Sequence, residues 1–179
     1  NYLNANEISM NKKDGSCVVI DQKTFTDRYK LLYDIPEKPL DRIYKLSKSI
    51  KDFHFVADVM TKPGANGGIF FHTKYQDKGW PVGHEAQINQ TQGDPVKTGS
   101  VYIVKKHLEA PAKDNEWFRY EIIVKGNRIE TKVNGKTVVV YEEAADVKGP
   151  RKLSKGTFGI QAHDPGSVVL VKNIKVKAL

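Results

Sequence analysis

The chain has almost no cysteine and no long apolar run, and each lack removes a class of protein. With Cys17 alone, an internal disulfide is impossible, and C-x-x-C or multi-cysteine zinc sites are excluded. Cys17 lies in the apolar run Cys17-Val18-Val19-Ile20, which suits a buried strand thiol better than a catalytic one. No apolar run approaches the ~20 residues that cross a bilayer, so no membrane span is expected. Hydrophobic residues at 39% and charged residues at 28% also argue against a disordered tail. A length of 179 residues fits a single domain over 1–179 with a substantial core. The chain starts at Asn1 without a basic-then-apolar leader, as expected of a removed signal peptide or a trimmed start.

Arginine is scarce too, and this bears on the positive charge. Lys and Arg total 29 against 21 acidic residues, a net charge of +8. That surplus could attract an anionic partner. Yet Lys12, Lys13, Lys45, Lys48, Lys51, Lys105, Lys106, Arg151, Lys152, Lys175 and Lys177 come in ones and twos. No aromatic-plus-basic strand motif accompanies them, so a solvated lysine-rich surface is expected and no nucleic-acid partner.

What is present is strand-like alternation broken by turn dipeptides. Phe53, Phe55, Ala57 and Val59 alternate with polar or smaller residues. The breaker cluster Pro63 to Gly68 precedes a short strand over Ile69 to His72. From Trp117, the residues Phe118, Tyr120, Ile122 and Val124 alternate before Gly126-Asn127 turns the chain. Asn134-Gly135 is the favoured two-residue hairpin turn, since both positions accept positive φ. It joins Ile129 to Val133 with Thr137 to Tyr141. Gly156 to His163 and Val168 to Val176 read as the last two strands, with a turn at Asp164-Pro165-Gly166-Ser167. In the first 50 residues, Ile8 to Met10 and Cys17 to Ile20 flank Asp14-Gly15 as a plausible hairpin. Residues 39–46 suit a helical turn as well as a strand. Seven or more strands without intervening helices imply an all-β, two-sheet antiparallel β-sandwich.

Residues two apart in a strand share a face. In His84 to Asn89 this places Glu85, Gln87 and Asn89 together, with Ala86 and Ile88 opposite. In Phe158 to His163, Gln161 and His163 share a face. In Ser100 to Val104, read as a strand, Tyr102 opposes Val101 and Ile103. A bland solvated face prefers Thr, Lys and Glu, whereas here His, Gln, Asn and Tyr recur. Such groups suit sugars, whose hydroxyls need directional donors and acceptors. A carbohydrate or glycoside is therefore the expected partner.

The same stretches, in order, resemble the 3-keto-disaccharide hydrolase family, long known only as a domain of unknown function. The elements are Asn66-Gly67-Gly68-Ile69-Phe70-Phe71-His72, His84-Glu85-Ala86-Gln87-Ile88 and Thr98-Gly99-Ser100-Val101-Tyr102. They continue through Trp117, Tyr120-Glu121-Ile122, Gly126-Asn127-Arg128-Ile129 and Val133-Asn134-Gly135. Gly156, Gly159-Ile160-Gln161-Ala162-His163 and Lys172-Asn173-Ile174 complete the set, which covers residues 50–179. His72 and Lys172 each stand where the family often has arginine, which loses a bidentate fork. The family's opening Leu-Phe-Asp-Gly and Trp element is not recognisable.

The resemblance implies a concanavalin-like jelly roll, a periplasmic or secreted location, and glycosides already oxidised to a ketone at C3. A base would remove the acidified C2 proton, donors would hold the enolate, and the C1 group would leave, with water adding afterwards. Glu85, His163 and His84 are the expected acid/base groups. His72, Gln87, Tyr102, Gln161 and Lys172 are the expected substrate clamps. Parity sets His84 opposite Glu85, and His54 and His107 have no motif support. Trp80 and Trp117 could stack on sugar, with Trp117 the better core anchor. A two-carboxylate glycosidase ranks lower, because no second acid joins Glu85. No cofactor is called for; imidazole and carboxylate could hold a divalent ion, but no ligand spacing specifies one. The competing reading is a non-catalytic carbohydrate-binding module on the same scaffold.

Overall fold

The computed structural model describes residues 3–4, 18–20, 50–73 and 81–179. Ten strands and no helix occur among them. These are β1 (Leu3–Asn4), β2 (Val18–Ile20), β3 (Phe53–Thr61), β4 (Asn66–Thr73), β5 (His84–Asn89), β6 (Phe118–Lys125), β7 (Arg128–Val133), β8 (Lys136–Glu142), β9 (Thr157–Ala162) and β10 (Val169–Ala178). The larger sheet runs β1-β10-β3-β6-β7-β8, with β2 also on β10. The smaller sheet runs β5-β4-β9. All pairings are antiparallel, so the expected two-sheet sandwich is what the chain adopts.

Alternation drives this arrangement. Phe118, Tyr120, Ile122 and Val124 of β6 are buried, while their neighbours face outward. They meet Ile69, Phe71, Ala86, Ile88, Phe158 and Ile160 from the smaller sheet in one core. Phe53 anchors its aromatic centre, with ring centroids 5.6 Å from Phe71 and 4.8 Å from Phe158, both edge-on. Tyr120 crosses between the sheets: its hydroxyl donates to the Gln87 carbonyl at 3.0 Å and accepts from Gly99 N–H at 3.2 Å. The Asn134-Gly135 hairpin forms as expected, with φ of 51° and 78°.

Three expectations need correction. The cluster Pro63 to Gly68 is not all loop, because β4 begins at Asn66. Gly67 and Gly68 are strand residues that neighbouring atoms leave no room to elaborate: a Cβ at Gly67 would lie 2.9 Å from the Gln161 carbonyl. Residues 100–104 are not a regular strand. Val101 bridges both Ala86 and Lys105, and between them the chain turns through Ile103 at φ 69°. Trp117 is no core anchor, being 38% exposed with the Lys172 ammonium 4.0 Å from its ring centre. Of the first 50 residues, β2 falls within the expected second arm of the N-terminal hairpin but pairs with β10. The rest of that hairpin, Cys17, residues 39–46 and Trp80 lie outside the described residues.

Candidate functional site on the smaller sheet

The register of the smaller sheet decides which side chains share its outer face. Phe70 of β4 pairs with Glu85 on one side and Gly159 on the other, and Gly68 pairs with Gln87 and Gln161. Asn66 pairs with Asn89. By the two-residue period, these side chains turn away from the larger sheet, while Ile69, Phe71, Ala86, Ile88 and Ile160 turn into the core. The segment after β5 returns along its free edge. Gln87 N–H donates to Ser100 O at 2.9 Å and Tyr102 N–H to Glu85 O at 2.9 Å. Tyr102 therefore stands beside Glu85.

Glu85 is the centre of this face. It is only 3% exposed. Its carboxylate lies over Gly68, where a Cβ would collide with Oε1. Oε2 lies 3.8 Å from an Nη of Arg151, which descends from the connection between β8 and β9. Burial pushes the Glu85 carboxyl up to about 7, with Arg151 pulling it down and Asp94 adding to the rise. The Arg151 guanidinium sits 5.2 Å from the Phe70 ring centre and donates to the Gly83 carbonyl at 3.2 Å. Burial, with Asp94 and Glu85 nearby, also raises the Tyr102 phenol, whose hydroxyl points at Asp94 Oδ2, 3.4 Å away.

The next row is amide-rich. Gln87 Nε2 donates to Asn66 Oδ1 at 3.0 Å, and Asn66 Nδ2 reaches Gln92 at 3.4 Å. Gln161 is different: it is 2% exposed, and its Oε1 has no hydrogen-bond partner among the described residues. An unpaired buried amide oxygen costs about 1–3 kcal/mol, and Asn89 Oδ1 on the same face is unpaired among the described residues too.

Of the acid/base residues expected from the sequence, only Glu85 occupies this central position. His163 follows Ala162, the partner of Gly67, so it lies four residues along the sheet from the Glu85 row and two strands across. That is about 16 Å between Cα atoms in a regular sheet, although the Glu85 carboxylate leans over Gly68 toward the same end. Its Nδ1 lies 3.0 Å from Asp164 Oδ2. Burial of Asp164 is outweighed by hydrogen bonds from Ser167, His163 and Gly166, which hold its carboxyl below the usual range. His84 points to the core side, as parity requires. Its Nε2 donates to Glu143 at 2.9 Å, and burial lowers its pKa.

His72 would share the outer face in a regular strand, but a bulge between Phe71 and Thr73 and a φ of 53° turn it over. Its ring packs edge-on against Phe53 and Phe71, and its Nε2 donates to the Lys51 carbonyl at 2.7 Å. Lys172 is on β10 of the larger sheet, over Trp117. The structure thus groups Glu85, Gln87, Tyr102 and Gln161. It sets His163 at the far end of the same face and keeps His72, His84 and Lys172 away.

Arg151, Asn66, Phe70 and Asp94 join this face without having been singled out in the sequence. Phe70 and Asn66 share parity with Gly68, a signal hidden by the glycine-rich cluster. Arg151 and Asp94 are loop residues with no periodicity to betray them. No group of three or more His, Cys, Asp or Glu side chains suited to a metal ion occurs among the described residues. No helix among them is long and apolar enough to cross a membrane.

Comparison with solved structures places the fold among two-sheet β-sandwiches. A candidate glycosyl hydrolase from Parabacteroides distasonis ATCC 8503 is 22% identical, with a TM-score of 0.63, covering 74% of each chain. A second from the same organism is 21% identical with a TM-score of 0.62, covering 74% of this chain and 80% of that one. Carbohydrate binding module CBM66 from Bacillus subtilis is 16% identical with a TM-score of 0.54, covering 74% and 78%. The shared fold is the concanavalin-like jelly roll expected from the sequence. No curated protein matches the chain. Residues 11–177 match the family described as a 3-keto-alpha-glucoside-1,2-lyase-like domain, a span that reaches well upstream of the motifs recognised over residues 50–179. On that match across most of its length, the chain belongs to the 3-keto-alpha-glucoside-1,2-lyase-like domain family.

Proposed function

We propose that this protein cleaves 3-keto-glycosides, with Glu85 as the base that removes the C2 proton. The supporting observation is a buried carboxyl raised to about 7 beside a guanidinium. A base of that strength is substantially ionised at neutral pH, yet strong enough to take a proton made acidic by the neighbouring ketone. Breaking C2–H leaves its electron pair in an enolate, with charge on the C3 oxygen. Arg151, only one of whose N–H groups is engaged with Gly83, offers donors to that oxygen. The enolate then re-forms the ketone as the C1–O bond breaks, giving a 1,2-ene, and the aglycone oxygen takes up a proton. The Tyr102 phenol, raised and therefore protonated, stands on the Glu85 side as the donor. Addition of water to the ene completes net hydrolysis. Gln87 and Gln161 orient the ring hydroxyls, the free Gln161 Oε1 accepting one of them. A periplasmic or secreted setting belongs to the same reading.

The test is incubation with a set of 3-keto-glucosides, with products identified by mass spectrometry and NMR. Aglycone release is expected, and Glu85→Gln should abolish it while the thermal melt stays cooperative. The competing reading draws on the likeness to a carbohydrate binding module. Saturable binding of sugars with no aglycone release from any 3-keto-glycoside would favour that reading and end the catalytic one.

A further inference from the structure

Arg151 lies in a connection with no strand of its own, yet its guanidinium is held over Phe70 and beside Glu85. Contacts to fixed elements explain how. Gly83 N–H donates to the Pro150 carbonyl at 2.8 Å, and Arg151 returns a bond to the Gly83 carbonyl at 3.2 Å. Both carboxylate oxygens of Glu143 accept from Leu153 N–H, at 2.8 and 2.9 Å. Ser154 N–H donates to His72 Nδ1 at 3.1 Å.

Glu143 is itself well fixed. Its N–H donates to the Asn127 carbonyl at 2.8 Å, and its Oε2 accepts from His84 Nε2 at 2.9 Å. Its side chain, 10% exposed, sits among these partners on the core side of His84 rather than on the polar face. A carboxylate bonded to a backbone N–H in an otherwise irregular segment has one evident consequence, which is to fix where residues two positions away project.

We propose that Glu143 is a positioning residue: through Leu153 N–H it sets where Arg151 presents its guanidinium to Glu85. His84 orients Glu143, and His72 pins the adjoining residue. Two of the histidines expected from the sequence to work at the site thereby serve it from behind. The proposal rests on reading Glu85 and Arg151 as the reactive pair, but its first test does not need a substrate.

The test is the titration midpoint of the Glu85 carboxyl, followed by side-chain ¹³C NMR. Arg151→Ala is expected to move the midpoint up, because a nearby cation favours the carboxylate. Glu143→Ala is expected to move it in the same direction, with no further rise when both changes are combined. Loss of the Glu143 charge acting directly would move the midpoint down, and a merely structural anchor would lower the melting temperature without moving it. Either outcome overturns the proposal. Glu143→Asp keeps the charge but shortens the reach, so it carries the same upward shift if the alanine variant does not fold. With a 3-keto-glucoside as probe, kcat/KM should fall about a hundredfold in Arg151→Ala and about tenfold in Glu143→Ala. Wild-type protein that turns over no 3-keto-glucoside, yet shows the shared upward shift, would end the proposed reaction and support the positioning role.

Discussion

The Glu85 carboxylate lies across Gly68 of the neighbouring strand so closely that the smallest side chain at position 68 would overlap Oε1. Gly68 is flanked by Gln87 and Gln161 in register, so a bare backbone separates two amides directly beside the acid. Gly68→Ala should displace the Glu85 side chain from Cγ outward rather than the backbone, since the added Cβ would lie 2.7 Å from Cγ and 3.0 Å from Cδ as well as against Oε1. The expected cost is about 1–3 kcal/mol in urea unfolding, with kcat/KM falling far more than stability accounts for. In a Glu85→Ala background the same substitution should cost little. An undiminished cost there would place the clash elsewhere.

On the proposed reaction, the raised pKa of Glu85 should make stability and activity respond to pH in opposite directions. Below the usual carboxylate value of 4.5, the group is protonated in both the folded and the unfolded chain. As pH rises toward about 7, the unfolded chain ionises first and the folded state loses relative stability. Glu85→Gln should therefore be more stable than wild type above neutrality, by up to about 3 kcal/mol, with the difference shrinking toward pH 4.5. Turnover should instead rise with pH and level off above about 7, as the base becomes ionised. Urea melts and a kcat/KM profile on the same samples check both. A wild-type advantage at pH 8 would contradict the burial argument.

Why Glu85 was legible and Arg151 was not follows from what each depends on. Glu85, Gln87 and Gln161 sit in regular antiparallel pairs, where a two-residue period converts sequence position into a face without further information. The same rule fails one step beyond regularity. At His72 the bulge reverses the ring, and at residues 100–104 a turn at Ile103 interrupts the strand although Tyr102 still reaches the site. Arg151 owes its place to bonds from Gly83, Glu143 and His72, separated in sequence by up to 79 residues, counted from His72 to Arg151. No local pattern encodes such a convergence. Trp117 misled for the opposite reason: the two-residue period sets it with Arg119 and Glu121, on the side away from buried Phe118, and the core-anchor reading set that parity aside.

Lys172 supplies a test of face assignment. The ordered resemblance makes it a clamp, but its ammonium rests over Trp117 on the larger sheet, beside the Asp58–Asn173 hydrogen bond of 2.6 Å. Lys172→Ala should lower stability by about 0.5–1 kcal/mol, the worth of an exposed cation–π contact, and quench or shift Trp117 fluorescence. KM for a 3-keto-glucoside should stay within about twofold, since the interaction lost is on the other sheet. A large rise in KM would mean that ligand reaches the outer face of the larger sheet.

His163 makes a different prediction because of where the sheet ends. It shares the outer face with Glu85 but sits about 16 Å away, its Nδ1 held by Asp164 and its ring 37% exposed. On the proposed reaction, a group so placed would meet the remote part of an extended ligand, with bond cleavage at the Glu85 row. His163→Ala should raise KM for a 3-keto-disaccharide several-fold with little change in kcat, and should leave a single-ring 3-keto-glucoside with a small aglycone unaffected. Asp164→Ala, which frees the same ring, should reproduce the pattern more weakly. Equal losses of kcat on the long and short substrates would instead bring His163 into the chemical step.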